Sequence, residues 1–339
     1  MSKIYEALRQ AELDRAKPGA NQPDSGTSTP TASQAVLDEA LAPEYSNGAR
    51  AFVPIAPVAK PFNNLTLASA LADKERVDDG IADSAIDSSA IDFANIPQRT
   101  WQPLLHLLPA LDERGSSVEQ FRSLRSRMQE FRDLNSLKSI LVSSGLPQEG
   151  KSFIAVNLAI SFARHKAGRV LLIDGDMRRA TQHKLLGCSQ GPGLTEYLAG
   201  EASIVEVMQR PRPDEPAHRL PAGLASLTFI PSGTEHDKAA DLSGNHRFDR
   251  LMDAVAPHFD WIVVDSSPVN LVSDGVNLAR ACDAVLLVAR GGVTKYEVAQ
   301  RALGELKASK VLGFVLNAVK NPPVSGGYYG YDGYDKIEE

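Results

Sequence analysis

Cysteine is nearly absent from this sequence: two residues, Cys188 and Cys282, in a chain of 339. Two thiols supply neither a multi-bridge disulfide framework nor a four-cysteine zinc site, and no CxxC pair is present, so a reducing compartment is the economical reading. The seven histidines are scattered without the spacing of metal ligands. Long apolar runs are missing too. Nothing approaches the roughly 18 residues of a spanning helix, and the opening MSKIYEALRQAELDRA has no apolar centre of the kind a signal peptide needs. Nor is there an excess of positive charge: 36 Lys and Arg against 42 Asp and Glu leave a net charge of −6, which gives no global reason to bind nucleic acid or an anionic membrane. What is present, a hydrophobic fraction of 43%, suffices for a buried core in one large or two average domains. These exclusions lead to the expectation of a cytoplasmic globular protein with no nucleic-acid partner.

Composition divides the chain into four parts. Residues 1–16 carry Ile4, Leu8 and Ala11 at i, i+4, i+7 among strong helix formers, which predicts a short amphipathic helix. Its charges nearly balance, Lys3, Arg9, Arg15 and Lys17 against Glu6, Glu12 and Asp14, so it suits a protein groove better than a membrane surface. Residues 17–98 are rich in Ala, Ser, Pro and Asp without a sustained period and read as a low-complexity linker. Residues 99–321 read as the folded domain, introduced by a helix over 117–134 with Val118, Phe121, Leu124, Met128 and Phe131 on one face. Beyond it SILVSS, RVLLID, SLTFIPS, WIVVD, AVLLVAR and KVLGFVLNAV are separated by helical stretches, among them 151–165, 248–255 and 296–308. Apolar runs without alternation predict strands buried on both faces, and helices between them are the crossovers of a parallel sheet. The expected fold is therefore α/β, a doubly wound and mostly parallel sheet. Residues 322–339 contain YYGYDGYDKIEE, too poor in aliphatic side chains to pack as an element, and read as a flexible tail.

Gly145-Leu146-Pro147-Gln148-Glu149-Gly150-Lys151-Ser152 matches G-x-x-x-x-G-K-[ST] between a predicted strand and a predicted helix. Glycines at those positions let backbone N–H groups close around a phosphate, and the helix N-terminus adds its partial positive charge. Gly145, Gln148, Glu149, Gly150, Lys151, Ser152 and Phe153 are the expected ATP-binding residues, with Lys151 on the β- and γ-phosphates and the Ser152 hydroxyl on Mg²⁺. RVLLIDGDMR puts Asp174 and Asp176 just past a second strand, and WIVVDSSP ends another on Asp265, the position of a metal-holding Walker B aspartate. An isolated aspartate ending a strand is usually a turn former, but three beside a P-loop are better read as a site. An ordinary P-loop ATPase does not need the extra pair. One use for it is to accept the proton of an attacking hydroxyl, and the tail offers such hydroxyls in Tyr328, Tyr329, Tyr331 and Tyr334, four of 8 tyrosines in the chain. The plainer reading of that tail is an adhesive low-complexity segment. Asn317, ending the last strand, is a further candidate.

Together the loop GLPQEGKS, the second Walker-type motif LLIDGDMR, the strand IVVDSSP, the tyrosine-rich C-terminus and Glu119-Gln120-Phe121-Arg122-Ser123-Leu124-Arg125 resemble the bacterial tyrosine kinases of capsule and exopolysaccharide synthesis, from about Val118 onward. The opening MSKIYEALRQAE is similar to that of a stand-alone subgroup encoded with exosortase-type systems. The resemblance implies a P-loop fold of deviant Walker type and a protein-tyrosine autokinase using ATP and Mg²⁺. In it, Asp174 is the base toward the tyrosine, Asp176 and Asp265 organise the metal, and Arg178 completes a D-x-D-x-R pattern. Asn317 resembles a position used for adenine contact in related ATPases. It further implies homo-oligomeric rings formed through Glu119, Arg122 and Arg125, phosphorylation of the tail tyrosines in trans, a membrane polysaccharide co-polymerase or chain-length determinant as partner that recruits the protein to the inner membrane face, and a cognate tyrosine phosphatase. Read without the resemblance, Glu119, Arg122 and Arg125 form a solvated helix face with i, i+3 pairs. One departure stands out. The family commonly continues the Walker B aspartate as D-x-P-P, whereas Ser266, Ser267 and Pro268 follow Asp265, and serine there is expected to loosen the turn that aims the carboxylate. Two other functions share these motifs. A MinD- or ParA-like positioning ATPase carries an additional early lysine where Leu146 stands, and a non-catalytic regulator would use bound ATP only to assemble with the membrane partner.

Overall fold

The computed structural model describes residues 51–54, 92–165, 168–212, 221, 223–234 and 239–320. The amphipathic segment 1–16, nearly all of the linker 17–98 and the tail 322–339 with its four tyrosines lie outside the described residues. In chain order the strands are β1 (Ala51–Pro54), β2 (Gln98–Arg99), β3 (Ser139–Ser144), β4 (Val170–Gly175), β5 (Arg210–Pro211), β6 (Leu227–Ile230), β7 (Trp261–Ser266), β8 (Ala284–Arg290) and β9 (Val311–Val319). The helices are α1 (Ser116–Asn135), α2 (Lys151–Ala163), α3 (Gln182–Leu186), α4 (Leu194–Ala199), α5 (Ile204–Val207), α6 (Ala239–Ser243), α7 (Arg247–Val255), α8 (Asp274–Ala279) and α9 (Tyr296–Glu305). Seven strands form one sheet in the order β1-β9-β8-β3-β7-β4-β6, parallel throughout except for β1, which runs antiparallel to β9. β1 falls inside the stretch read as linker. A four-residue edge strand is too short to produce a period visible in the sequence.

The unbroken apolar runs acquire their reason here. Along β3, Ile140 and Val142 face a core built with Phe121 and Leu124 of α1 and Ile154 and Leu158 of α2, while Leu141 faces a second core with Leu198 of α4, Leu251 of α7 and Ala302 of α9. Neighbouring residues thus enter opposite layers, and the middle of the strand is apolar on both faces. Helix α2 is buried from Ile154 to Ala163 without interruption, because it lies between the sheet and α1. Its one buried amide, Asn157, accepts from the Ala110 N–H at 3.0 Å and donates to the Leu107 and Phe153 carbonyls, tying the 3-10 turn Pro109–Leu111 to the helix. Trp261 at the start of β7 stacks on Phe162 with ring centroids 4.1 Å apart.

The chain leaves β3 through α2 toward β4 on one side, while β8 flanks β3 on the other. In open α/β sheets ligands bind at the carboxyl ends of strands where the winding reverses, and that point is the end of β3.

Candidate active site

Strand β3 ends at Ser144 and α2 begins at Lys151, so the intervening loop lies at the carboxyl edge of the sheet. Gly150 closes the loop with φ +95°, a left-handed conformation, and a Cβ there would come within 1.9 Å of Asn317 Nδ2. Only glycine lets that loop approach so closely. Asn317 in turn donates Nδ2 to the Glu149 carbonyl at 3.0 Å, and its Oδ1 accepts from the Ala318 N–H. Asn317 therefore reaches the loop as expected, but its amide is engaged with backbone rather than presented as a purine contact.

Two further residues of the expected loop also serve its architecture. Glu149 is buried; its carboxylate accepts from the Leu146 N–H at 2.8 Å and from the Thr294 hydroxyl. Burial raises its pKa, and the hydrogen bonds only partly offset this. The Phe153 ring packs on Phe121 of α1 at 5.8 Å, so only its backbone is available to a ligand.

Parallel pairing of β4 with β7 puts Asp174 opposite Asp265, and pairing of β3 with β7 puts Val142 opposite Asp265, which brings the acids level with the loop. Lys151 Nζ lies 2.7 Å from Asp176 Oδ2 and 3.8 Å from Asp265 Oδ1, and it donates to Ser152 Oγ at 3.1 Å. Burial alone would lower the lysine pKa, but the Asp265 and Asp176 charges outweigh it and raise the value. Asp174 is fully buried, and its Oδ2 accepts from the Thr181 and Gln182 N–H groups at 3.2 and 3.0 Å. Its Oδ1 accepts only the longer bond from the Asp176 N–H, 3.3 Å. Burial, reinforced by the Asp265 charge, holds its pKa well above the carboxylate range. Burial also raises Asp265, against the lowering effect of Lys151.

Sequence reasoning missed the residue that joins these parts. Gln182, buried at the start of α3, donates Nε2 both to Asp265 Oδ2 at 2.9 Å and to the Ser152 carbonyl at 3.0 Å. A lone glutamine eight positions after Asp174 carries no motif, so nothing in the sequence could mark it. Arg178 was expected only as part of a pattern; its Nε donates to Asp274 Oδ2 at 2.6 Å, fixing the start of α8 to the D-x-D loop. In the turn after Asp265, Ser143 donates its hydroxyl to the Ser267 carbonyl at 2.9 Å and Ser266 donates to the Val142 carbonyl at 3.2 Å, while the Ser267 hydroxyl, in the place of the family's first proline, is buried without a hydrogen-bond partner among the described residues.

The arrangement fits a nucleotide phosphate chain with Mg²⁺. Asp265 Oδ1 is buried and accepts no hydrogen bond among the described residues, the Ser152 hydroxyl lies next to Lys151, and the glycine cradle has no room for a side chain. Among the described residues no three His, Cys, Asp or Glu side chains form a metal cage. Mg²⁺ needs none, since it is commonly held by one or two carboxylates together with substrate phosphates. Glu119, Arg122 and Arg125 are not part of this site. They lie on α1 beside the far end of α2, whose 13 residues span about 20 Å.

No family model matches the chain. The tyrosine-protein kinase CpsD of Streptococcus agalactiae is 31% identical over 226 residues, covering 65% of this chain and 91% of CpsD. The tyrosine-protein kinase Wzc of Salmonella typhimurium is 29% identical over 262 residues, 72% of this chain but 34% of Wzc, so the chain spans about a third of that relative. Among solved structures, the kinase domain of Escherichia coli tyrosine kinase ETK aligns with a TM-score of 0.58 at 28% identity, over 66% of this chain and 85% of that one. Among the described residues no helix is long and apolar enough to cross a membrane.

Proposed function

The chain belongs to the bacterial tyrosine-protein kinases, and from that premise we propose that it is a Mg-ATP-dependent autokinase acting on tyrosines of its own C-terminal segment. The observation that supports this reading most is the contact of the P-loop Lys151 with Asp176 and Asp265, level with Asp174 on the neighbouring strand. Gly145, Gln148, Gly150 and the backbone of Phe153 would enclose the phosphates, Lys151 would move from the carboxylates to the β- and γ-oxygens, and Ser152 and Asp265 would hold Mg²⁺, with Asp176 orienting it. When bound, the metal supplies neutralisation of the charge that develops on the transferring phosphoryl group. In the transfer, the bond between the γ-phosphorus and the β,γ-bridging oxygen breaks, a bond from that phosphorus to the tyrosine oxygen forms, and ADP leaves. The tyrosine proton passes to Asp174, whose raised pKa suits a proton acceptor and whose Oδ1 keeps acceptor capacity.

The acceptors are Tyr328, Tyr329, Tyr331 and Tyr334, reached in trans within a homo-oligomer assembled through Glu119, Arg122 and Arg125. The segment 1–16 would dock on a membrane polysaccharide co-polymerase at the inner membrane face, and a tyrosine phosphatase would reset the tail. The decisive experiment incubates the purified chain, Lys151→Met and a chain truncated before Tyr328 with Mg-ATP and reads phosphotyrosine by intact mass and peptide mapping. Label on the tail, absent from both variants, is the expected result. ATP hydrolysed without label would assign a positioning ATPase of the MinD or ParA kind, and ATP bound without turnover would assign the assembly regulator.

A further inference from the structure

At the end of α2 remote from the phosphate loop, a cleft of about 220 Å³ opens between α1, the 3-10 turn Pro109–Leu111 and the helix terminus. At roughly 30 Å³ per water, it has room for a tetrahedral oxyanion. Its wall carries Arg122, Arg125, Arg164, His165 and the Ser161 hydroxyl, and no carboxylate. Among the acids near it, Glu119 is paired with Arg122 on the rim, and Asp112 and Glu113 meet the arginines through their backbone carbonyls. All three guanidiniums are held by backbone before any ligand arrives: Arg122 donates to the Glu113 carbonyl at 3.0 Å, Arg125 to the Ser161 carbonyl at 3.0 Å, and Arg164 to the Ala110 and Asp112 carbonyls. Arg125 Nε is buried and has no hydrogen-bond partner among the described residues. Burial and the charges of Arg122 and Arg164 lower the pKa of Arg125, the signature of crowded cations. Because an arginine does not deprotonate in a protein, such crowding is relieved by an anion rather than by loss of a proton.

We propose that this cleft binds the phosphate of a phosphotyrosine carried in residues 321–339 of this chain or of a second copy. Arginine forks held in place favour a dianionic tetrahedral group over a single carboxylate. The segment is otherwise acidic, with Asp332, Asp335, Glu338 and Glu339 against Lys336, which complements a cleft of three arginines. The proposal rests on the autokinase reading only for the origin of the phosphate. Since Arg122 and Arg125 are also the residues assigned above to self-association, a phosphorylated tail seated here would compete with a neighbouring subunit.

The test is fluorescence anisotropy of a labelled synthetic peptide spanning 321–339, phosphorylated on its tyrosines or not, titrated with the full chain without nucleotide. Lys151→Met serves as the reference in which the phosphate loop is disabled. The expected result is phosphopeptide binding equal in the full chain and in Lys151→Met, at least ~10-fold weaker for the unphosphorylated peptide, and at least ~10-fold weaker in Arg125→Gln and in Arg122→Gln. Arg122→Gln, on the more exposed rim, guards against misreading a folding defect, and its melting curve should match that of the parent chain. Equal affinity for the two peptides overturns the proposal. So does loss of binding in Lys151→Met with retention in the arginine variants, or orthophosphate that binds while the phosphopeptide does not. Because the peptide is synthetic, these outcomes are independent of whether the chain phosphorylates itself.

Discussion

The two ends of α2 are built on opposite charges. At its N-terminal end Lys151 sits among the buried Asp174, Asp176 and Asp265, and at its C-terminal end Arg164 and His165 stand beside Arg122 and Arg125. A helix dipole favours anions at its start and cations at its finish, so both assemblies run with it, and only Lys151 runs against it. The lysine is tolerated because carboxylates surround it. The acidic end is sealed and its groups are locked to one another by Gln182 and by backbone N–H groups, whereas the basic end opens to solvent and its cations are held by carbonyls. One end gathers acids around a cation and the other gathers cations in a cleft whose wall carries no carboxylate, with a single buried helix between them.

Three changes test that contrast. The largest effect is expected at the acidic end, where Asp265→Asn should lower phosphoryl transfer by about 10²-fold or more, since it removes a charge aimed at the reacting group. The same change should reveal strain in the fold. Burial raises the pKa of Asp265, so holding its carboxylate ionised costs more in the native state than in the unfolded chain. A raised value contributes stability below the ordinary carboxylate range and loses it as pH rises through the folded value. Asp265→Asn should therefore melt higher than the parent at neutral pH and show a flatter dependence of Tm as pH rises above the ordinary carboxylate range; an unchanged slope would show that burial does not govern this carboxylate. An intermediate effect is expected mid-helix. Asn157→Ala leaves the Ala110 N–H without its acceptor in a dry core and should cost about 1–3 kcal/mol in denaturant unfolding. The smallest is expected on the exposed face of α1, where Glu119→Ala removes an i, i+3 pair worth only about 0.2–0.5 kcal/mol. A larger loss of stability there would mean that the acid also supports the arginine cleft.

Much of the acidic end was legible in the sequence because its parts are local. The P-loop sits between a strand and a helix whose apolar patterns are unambiguous, and helix α1, expected over 117–134, spans Ser116–Asn135. Asp174 and Asp265 could each be placed at a strand end, and the sheet did the rest by pairing β4 with β7 in register. The cross-links were not legible. Gln182, Thr294 and Asp274 act through partners 83 to 145 positions away in the chain, and such distances leave no spacing to recognise. Between Gln182 and Pro211 the short helices α3, α4 and α5 complete too few turns for a period, so that stretch was silent. The last helix was expected to Ala308 but ends at Glu305, where Leu306 turns into the core. For Asn317 the strand end was legible and the partner of its amide was not. The strand end delivers it to the loop, and the loop carbonyl of Glu149 takes its amide.

That clamp has a consequence for substrate choice. The chain leaves the folded domain just after β9, a few residues beyond the side chain that holds the phosphate loop. At ~3.3–3.6 Å per residue, the stretch from Asn317 to Tyr328 keeps the first tail hydroxyl within roughly 40 Å of that loop. Within the homo-oligomer proposed above, a tail of this length is offered to a neighbouring subunit's loop at an effective concentration on the order of millimolar. A tyrosine on an untethered protein must match that concentration by affinity alone, so on the reading proposed above the assembly itself favours the tail tyrosines over those of other proteins.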